Sequence, residues 1–362
     1  IHVFNTDGSE ITNGMFPFDS GDNSQIWSSA VAGYMDVDEL IDFAIPSKNK
    51  HLYIFDANGL KLDFETEFYL IGTPAMGNLD EDANMEIVFS GYSPGNKLFV
   101  INPDGTDVEG FPFVIGEKIK AGAAVFDMND NGIDDIIFGT DSDNIYVLLD
   151  DGTIAPNFPI DLGDKIQSEP AVYVDGDDKI ILTGCKNNNF YAINYSDGSL
   201  RFTIPTGDDI YTSPSFNDNN IYFSNHGPMG GDSIGIVNYA GNYGWKDIAW
   251  GGTEYTGFKI GKVPFKNKYD KHVITWVPSM AVGNFQFYKG QTFPEWDGDL
   301  IGTATKAQMI YRLDFEQNKI VHKEIILKDR IGRIRDIEID SKGDIYVIVD
   351  DEKSALWKIT SQ

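Results

Sequence analysis

The chain has one cysteine, Cys185, in 362 residues, so an intrachain disulfide is excluded. Arginine is missing from the first 200 positions; the first is Arg201. Histidine occurs five times, as His2, His51, His226, His272 and His322. No H-E-x-x-H or C-x-x-C pattern occurs, which argues against an ordinary zinc centre. No apolar run reaches membrane-spanning length. Positive charge is scarce overall: 28 Lys and Arg stand against 56 Asp and Glu, a formal net charge of -28. Such a surface repels nucleic acid phosphates and anionic membranes, so neither nucleic acid binding nor membrane insertion is expected. The chain starts at Ile1 and not at Met, which is compatible with removal of an export signal.

Apolar residues make up 41% and aromatics 13%, with 37 glycines, a mixture that suits short strands joined by many turns. Five segments align: IHVFNTDG from 1, LYIFDANG from 52, LFVINPDG from 98, IYVLLDDG from 145 and FYAINYSDG from 190. Each is a β-branched or aromatic run ending in a turn pair such as Asp-Gly. Between them lies a second unit that reads strand, polar loop, strand. Four strands in about 45 residues is the pattern of a propeller blade. The expected fold is all-β: one β-propeller domain over 1–362 with four-stranded antiparallel blades, seven by count, six or eight being the alternatives. Residues 246 to 276 form a long excursion. A strand near residues 1–18 is expected to complete the last blade.

The loops of the second unit carry a ligand pattern. In FDMNDNGIDDIIFG, Asp127, Asn129, Asn131 and Asp135 put oxygens at positions 1, 3, 5 and 9, with Gly132 at the bend. The spacing recurs as Asn78, Asp80, Asp82 and Glu86. It is degraded in the first blade, where Asp36, Asp38 and Asp42 remain but Tyr34 takes the first place. Hard oxygen ligands suit Ca²⁺; an Asx-rich turn without metal is the alternative. The loop is no EF-hand, because Phe138 stands where a bidentate Glu is required. Residues 20 to 225 resemble the FG-GAP repeats of integrin-type propellers. That resemblance implies structural calcium in these loops, and 1–225 is read as FG-GAP-like blades.

From 226 the pattern changes. The stretches NHGPMGGDSIGIVNYAGNYGW (225–245), WVPSMA (276–281), FYKGQTFPEWDGDL (287–300), ATKAQ around Lys306 and GRIRD (332–336) follow in order. They resemble the soluble aldose (glucose/sorbosone) dehydrogenases that use pyrroloquinoline quinone, themselves β-propellers. The resemblance implies that the carbonyls of Gly227 and Pro228 ligate a calcium, that Lys306, Arg333 and Arg335 pair with cofactor oxygens, and that Tyr243 and Trp245 lie beside the cofactor. Arginine suits such a role because it pairs carboxylates bidentately. That family takes its general-base histidine and an arginine from the N-terminal half. Here the acidic repeats replace that half, and no arginine precedes Arg201.

Two G-x-S-x-G matches, at Ser93 and Ser233, lack the strand-to-helix context of a nucleophile elbow. The leading expectation is an exported bacterial protein, secreted, periplasmic or at the cell surface. It would be a calcium-stabilised binding or scaffold propeller for carbohydrate or protein. The second reading is a quinone-dependent aldose dehydrogenase with a diverged N-terminal half, 226–362 being its quinoprotein-like closing blades.

Overall fold

A computed structural model of the protein describes residues 1–362 apart from 2, 4–10, 13–14, 22–23, 39, 94, 207–208, 211–212, 218–219, 239–240, 246, 317–318, 351–355 and 362. It is an all-β, seven-bladed propeller with blades of antiparallel strands. Among the described residues the only helix is one 3₁₀ turn, Pro294–Trp296. Six sheets have four strands, and the seventh shows three, Ile334–Ile339, Ile345–Val349 and Leu356–Ile359. The expected completing strand near 1–18 falls largely outside the described residues.

Two compact units divide the chain: Asp19–Thr203, and Ile1–Phe18 with Ile204–Gln362. The first holds four blades over residues 31–65, 75–114, 124–161 and 171–205, the last strand running two residues past its boundary. The second holds three, over 215–276, 282–326 and 334–359. The repeated segments become the third strands, His51–Asp56, Lys97–Ile101, Asn144–Leu148 and Asn189–Asn194. The excursion at 246–276 is an inserted hairpin, Ile248–Thr253 with Lys259–Gly261, and then the fourth strand of its blade, Ile274–Trp276.

Within each unit the first strands of successive blades pack together, and apolar clusters fill the space between neighbouring blades. One such cluster joins Leu79, Val88, Leu98 and Val100 of the second blade to Ile136, Phe138, Tyr146 and Leu148 of the third. Each middle strand therefore buries both faces. This explains why Glu86–Ser90 and Asp135–Gly139 read as continuous apolar runs and not as alternating patterns. Cys185 is buried in the same way, between the third and fourth blades, and not at their edge.

Phe138 is fully buried and its ring stacks on Tyr146 with centroids 5.2 Å apart. Phe138→Ala should destabilise the protein by about 3–5 kcal/mol, because the cavity opens between two rigid sheets. Urea unfolding measures this; a loss of less than about 1 kcal/mol would mean that the cluster does not hold the blades together.

Candidate functional site

Two ends of the blades carry the residues singled out in the sequence. The acidic loops join the first and second strands of the first three blades. In each, the carboxylate at position 9 opens the second strand and is fully buried: Asp42, Glu86 and Asp135. One of its oxygens accepts the backbone N–H of the loop's second residue, at 3.2 Å from Met35, 2.7 Å from Leu79 and 2.9 Å from Met128. The shared geometry confirms that the three loops are copies of one design.

The other oxygen is treated differently in each copy. Asp42 Oδ1 meets the ammonium of Lys61 at 2.7 Å, and the same ammonium lies 2.8 Å from Asp36 and 3.1 Å from Asp38. Burial opposes the charge on Lys61, yet its hydrogen bonds to Asp36, Asp42 and Asp38 outweigh that and hold its pKa above the ordinary range. Asp135 Oδ1 accepts the backbone N–H of Asp150 at 3.1 Å and the amide of Asn129 at 3.3 Å. Glu86 Oε1 is buried with no partner, and so is Asn78 Oδ1. The carboxylates of Asp80, Asp82 and Glu86 converge, their oxygens within 4.8 Å of one another. Burial first, and then the charges of Asp80 and Asp82, push Glu86 up to about 7.

In the third loop, as with Asp36 and Asp38 in the first and Asp80 and Asp82 in the second, side-chain oxygens accept backbone N–H groups of the loop itself. Asp127 accepts the N–H groups of Asn131 and Gly132, at 3.2 and 2.9 Å, and Asn131 Oδ1 accepts that of Ile133 at 2.8 Å. Gly132 makes the bend at φ 90°, a conformation that L side chains rarely adopt. Lys179 of the fourth blade caps this loop, donating to the Asp127 carbonyl at 2.8 Å and to Asp130 at 2.6 Å. Among the described residues of the three loops, the buried oxygens without a hydrogen-bond partner are those of Asn78 and Glu86 in the second. The first loop, with Asp36, Asp38 and Asp42, already encloses a cation, the ammonium of Lys61.

In the last three blades the predicted residues lie at one end, where loops from second to third strands meet the starts of first strands. The loop 226–231 joins Asn220–Asn225 to Asp232–Ile236. It is tightly folded: a Cβ at Gly227 would lie 2.0 Å from the Gly230 carbonyl oxygen. Asp232, fully buried, organises this end. Its Oδ1 accepts the Gly227 N–H at 2.9 Å. Its Oδ2 accepts from Ser279 Oγ and from the N–H groups of Met280 and Ala281 at 2.9, 3.0 and 2.7 Å. The Met280 carbonyl in turn accepts the N–H of Lys306 at 3.2 Å, so the Gly227 loop and the Lys306 turn share one anchor. The carbonyls of Gly227 and Pro228 accept no hydrogen bond among the described residues, and the Lys306 side chain is exposed without an ion pair. Arg333 and Arg335, half-exposed, flank Asp350, with Arg333 at 3.7 Å and Arg335 in direct contact.

Tyr243 and Trp245 line a cavity of about 20 Å³ together with Asn225, Gly227, Trp250 and His272. This is room for water-sized groups. Lys306, Arg333 and Arg335 are not part of its lining. Tyr243 is buried, stacks on His272 with centroids 4.5 Å apart and donates its hydroxyl to the Ile236 carbonyl. His226 Nε2 contacts the Val282 carbonyl. Ser233 is fully buried inside a strand, with Oγ 3.4 Å from His272 Nε2, and no helix follows it, so the nucleophile-elbow match is structural. The sequence reading missed Asp232 because it sits inside that match, and missed Asp350 because it lies 15 residues beyond Arg335.

His272 Nδ1 is buried without a partner, and burial pushes this imidazole down to about 3. An unfolded histidine titrates near 6.5, so below that pH the unfolded chain takes a proton that the folded one refuses. Stability should fall as pH drops from about 6.5 toward 3, by at most about 1.4 kcal/mol per pH unit from this group. Urea midpoints between neutral and mildly acidic pH should show a shallower loss for His272→Phe; equal slopes in both proteins would remove His272 from the acid response.

Comparison with known proteins bears on the last three blades. Residues 213–358 match the Glucose / Sorbosone dehydrogenase family. The aldose sugar dehydrogenase YliI of Escherichia coli K12 is 34% identical over 144 residues, which are 39% of this chain and 38% of that protein. The chain thus spans well under half the length of the curated relatives that it matches. Among solved structures, a glucose dehydrogenase aligns with 93% of this chain and 96% of its own, with a TM-score of 0.55 at 18% identity. BBS1N in complex with ARL6DN aligns with 94% and 93%, with a TM-score of 0.62 at 11% identity. At these identities the structures support the propeller fold alone. The chain is a β-propeller whose closing blades carry a glucose/sorbosone dehydrogenase segment, with aldose sugar dehydrogenase homologues.

Proposed function

We propose that the protein is an exported quinone-dependent sugar dehydrogenase of the aldose type, with pyrroloquinoline quinone and calcium held at the end of the last three blades. The observation that carries this is the match over residues 213–358 together with the placement of its motif residues. Gly227, Pro228, Lys306, Arg333 and Arg335 all occupy the same end of their blades. This reading displaces the binding or scaffold role, which no comparison supports.

The residues present fit the group. The free carbonyls of Gly227 and Pro228 are hard donors of the kind that hold calcium. Lys306 and the two guanidinium groups supply positive charge for a tricarboxylate, with Asp350 holding the arginines in place until an anion competes for them. When bound, the quinone would supply a two-electron acceptor, and the organic chemistry is its own. The chain's part is to bind and orient it. Asp232 fixes the Gly227 loop against the Met280–Ala281 turn, so the ligand positions are set before anything binds. His226 is not placed as a general base, since Nε2 is engaged by Val282. A carbohydrate substrate follows from the dehydrogenase reading and not from a sugar site in the structure.

A second reading concerns the FG-GAP-like loops, and a specific observation favours it: the orphaned, buried oxygens of Glu86 and Asn78 beside Asp80 and Asp82. An unpartnered buried carboxylate oxygen is costly, and a divalent ion relieves that cost. We place a structural Ca²⁺ in the second loop, where converging carboxylate and amide oxygens suit it.

Two measurements test these readings. Pyrroloquinoline quinone titrated into the calcium-loaded protein should bind saturably, and Arg333→Ala should weaken binding about tenfold or more. Absence of binding in the wild type would end the dehydrogenase reading. For the second loop, saturating Ca²⁺ should raise the unfolding free energy by about 2.7 kcal/mol at 100 times Kd. Glu86→Gln should lose most of that response; an equal response in both proteins would rule this loop out as the site.

A further inference from the structure

We infer that Lys61 is the resident cation of the first blade: its ammonium occupies the position that a divalent ion takes in the second blade, and a divalent site lies latent behind it. The inference rests on the ion reading of the second loop for its comparison, and on the first loop's own geometry for its substance.

The two loops are superimposable in their logic. Asp36, Asp38 and Asp42 stand at the places of Asp80, Asp82 and Glu86, and both triads gather their oxygens within 4.8 Å. In both, the last carboxylate is fully buried and spends one oxygen on the N–H of the loop's second residue. The inward oxygen of Glu86 has no partner, whereas that of Asp42 has Lys61 at 2.7 Å. Lys61 touches all three carboxylates at 2.7–3.1 Å and is no surface pair, since Asp42 is fully buried and Lys61 is about one-fifth exposed.

The source of the ammonium is a change in the fourth strand, Gly59–Glu65. Lys61 stands two residues after the hairpin glycine Gly59. Counting likewise from Gly105 and Gly152, the second blade has Asp107 and the third has Ile154. Neither can supply a cation. The second blade therefore keeps one buried carboxylate oxygen without a partner, the third gives the equivalent oxygen the amides of Asp150 and Asn129, and the first meets it with a tethered charge. A tethered ammonium needs no ion from solution, so the first blade holds its loop at any calcium concentration. With Tyr34 at position 1 in place of Asn78, the first loop has one amide oxygen ligand fewer than the second, so the latent site should bind a divalent ion more weakly.

The experiment uses the full chain without quinone, in four forms: wild type, Lys61→Met, Glu86→Gln and the double variant. Methionine keeps the apolar stem and removes the charge. Calcium binding is read by calorimetry and stability by thermal unfolding, each with chelator and with saturating Ca²⁺. In chelator, Lys61→Met should unfold several degrees below wild type, and calcium should recover most of the difference. The double variant should bind one ion more than Glu86→Gln alone. Lys61→Arg, which keeps the charge, should need no calcium for its stability. If Lys61→Met matches wild type in chelator, or the double variant gains no ion over Glu86→Gln, the inference is overturned. If instead wild type and Glu86→Gln bind calcium equally while the double variant gains a site, the second-loop reading fails and the role of Lys61 stands.

Discussion

A carboxylate buried at the end of a blade has to be compensated, and the protein does this repeatedly. Asp42, Glu86, Asp135 and Asp232 are all fully buried, and each lies where a strand begins. Burying such a charge without partners is prohibitive, so the local structure is built around satisfying it. Asp232 is met by a hydroxyl and three backbone N–H groups, and that set of bonds ties the Gly227 loop to the Met280 turn. Asp135 is met by loop amides and Asp42 by an ammonium, while Glu86 is met only in part. The functional reading of each end follows from how complete that compensation is.

The blades were legible because burial on both faces demands short apolar runs, and turn pairs such as Asp-Gly punctuate them at a constant period. Phe138 inside FDMNDNGIDDIIFG could be read as an interior strand residue from its neighbours alone, and it is. The acidic loops were legible as loops and as copies of one another. What could not be read was the partner of each ninth-position carboxylate. Lys61 lies 19 residues from Asp42 and two strands away, and Asp150 lies 15 residues from Asp135. Spacing within a loop reports its oxygens; it does not report which amide or ammonium the fold brings to them. For that reason two loops with the same spacing differ: the buried carboxylate of Asp127 to Asp135 is met by amides, and Asn78 to Glu86 carries buried oxygens without a partner.

The same limit applies to the closing blades. The motif order gave Gly227, Lys306, Arg333 and Arg335, and strand registers place all four at one end, since Val282 pairs with Ala304 and Ile334 with Val349. Tyr243 is a core residue packed on His272, and Trp245 lines a small cavity whose lining does not include the three cations. The inserted hairpin after Ile248 explains this: it adds a wall of Ile248, Ala249 and Trp250 around Tyr243, converting a loop into a packed layer.

Because each apolar cluster lies between two adjacent blades, the constraint on a blade is the shape of its two faces. Its loops are bound only by the need to satisfy their own buried charge. This separates fold from function along the chain: faces such as Ile136 to Phe138 must fit their neighbours, whereas the loop before them can hold an ion, an ammonium or nothing but its own amides. The first three blades differ on one scaffold in how the ninth-position carboxylate is met: by an ammonium, only in part, or by amides. The N-terminal blades can thus differ from one another in every loop while preserving the stacked faces that a propeller requires. The Gly227 end owes its geometry to Asp232, inside the segment that matches the Glucose / Sorbosone dehydrogenase family.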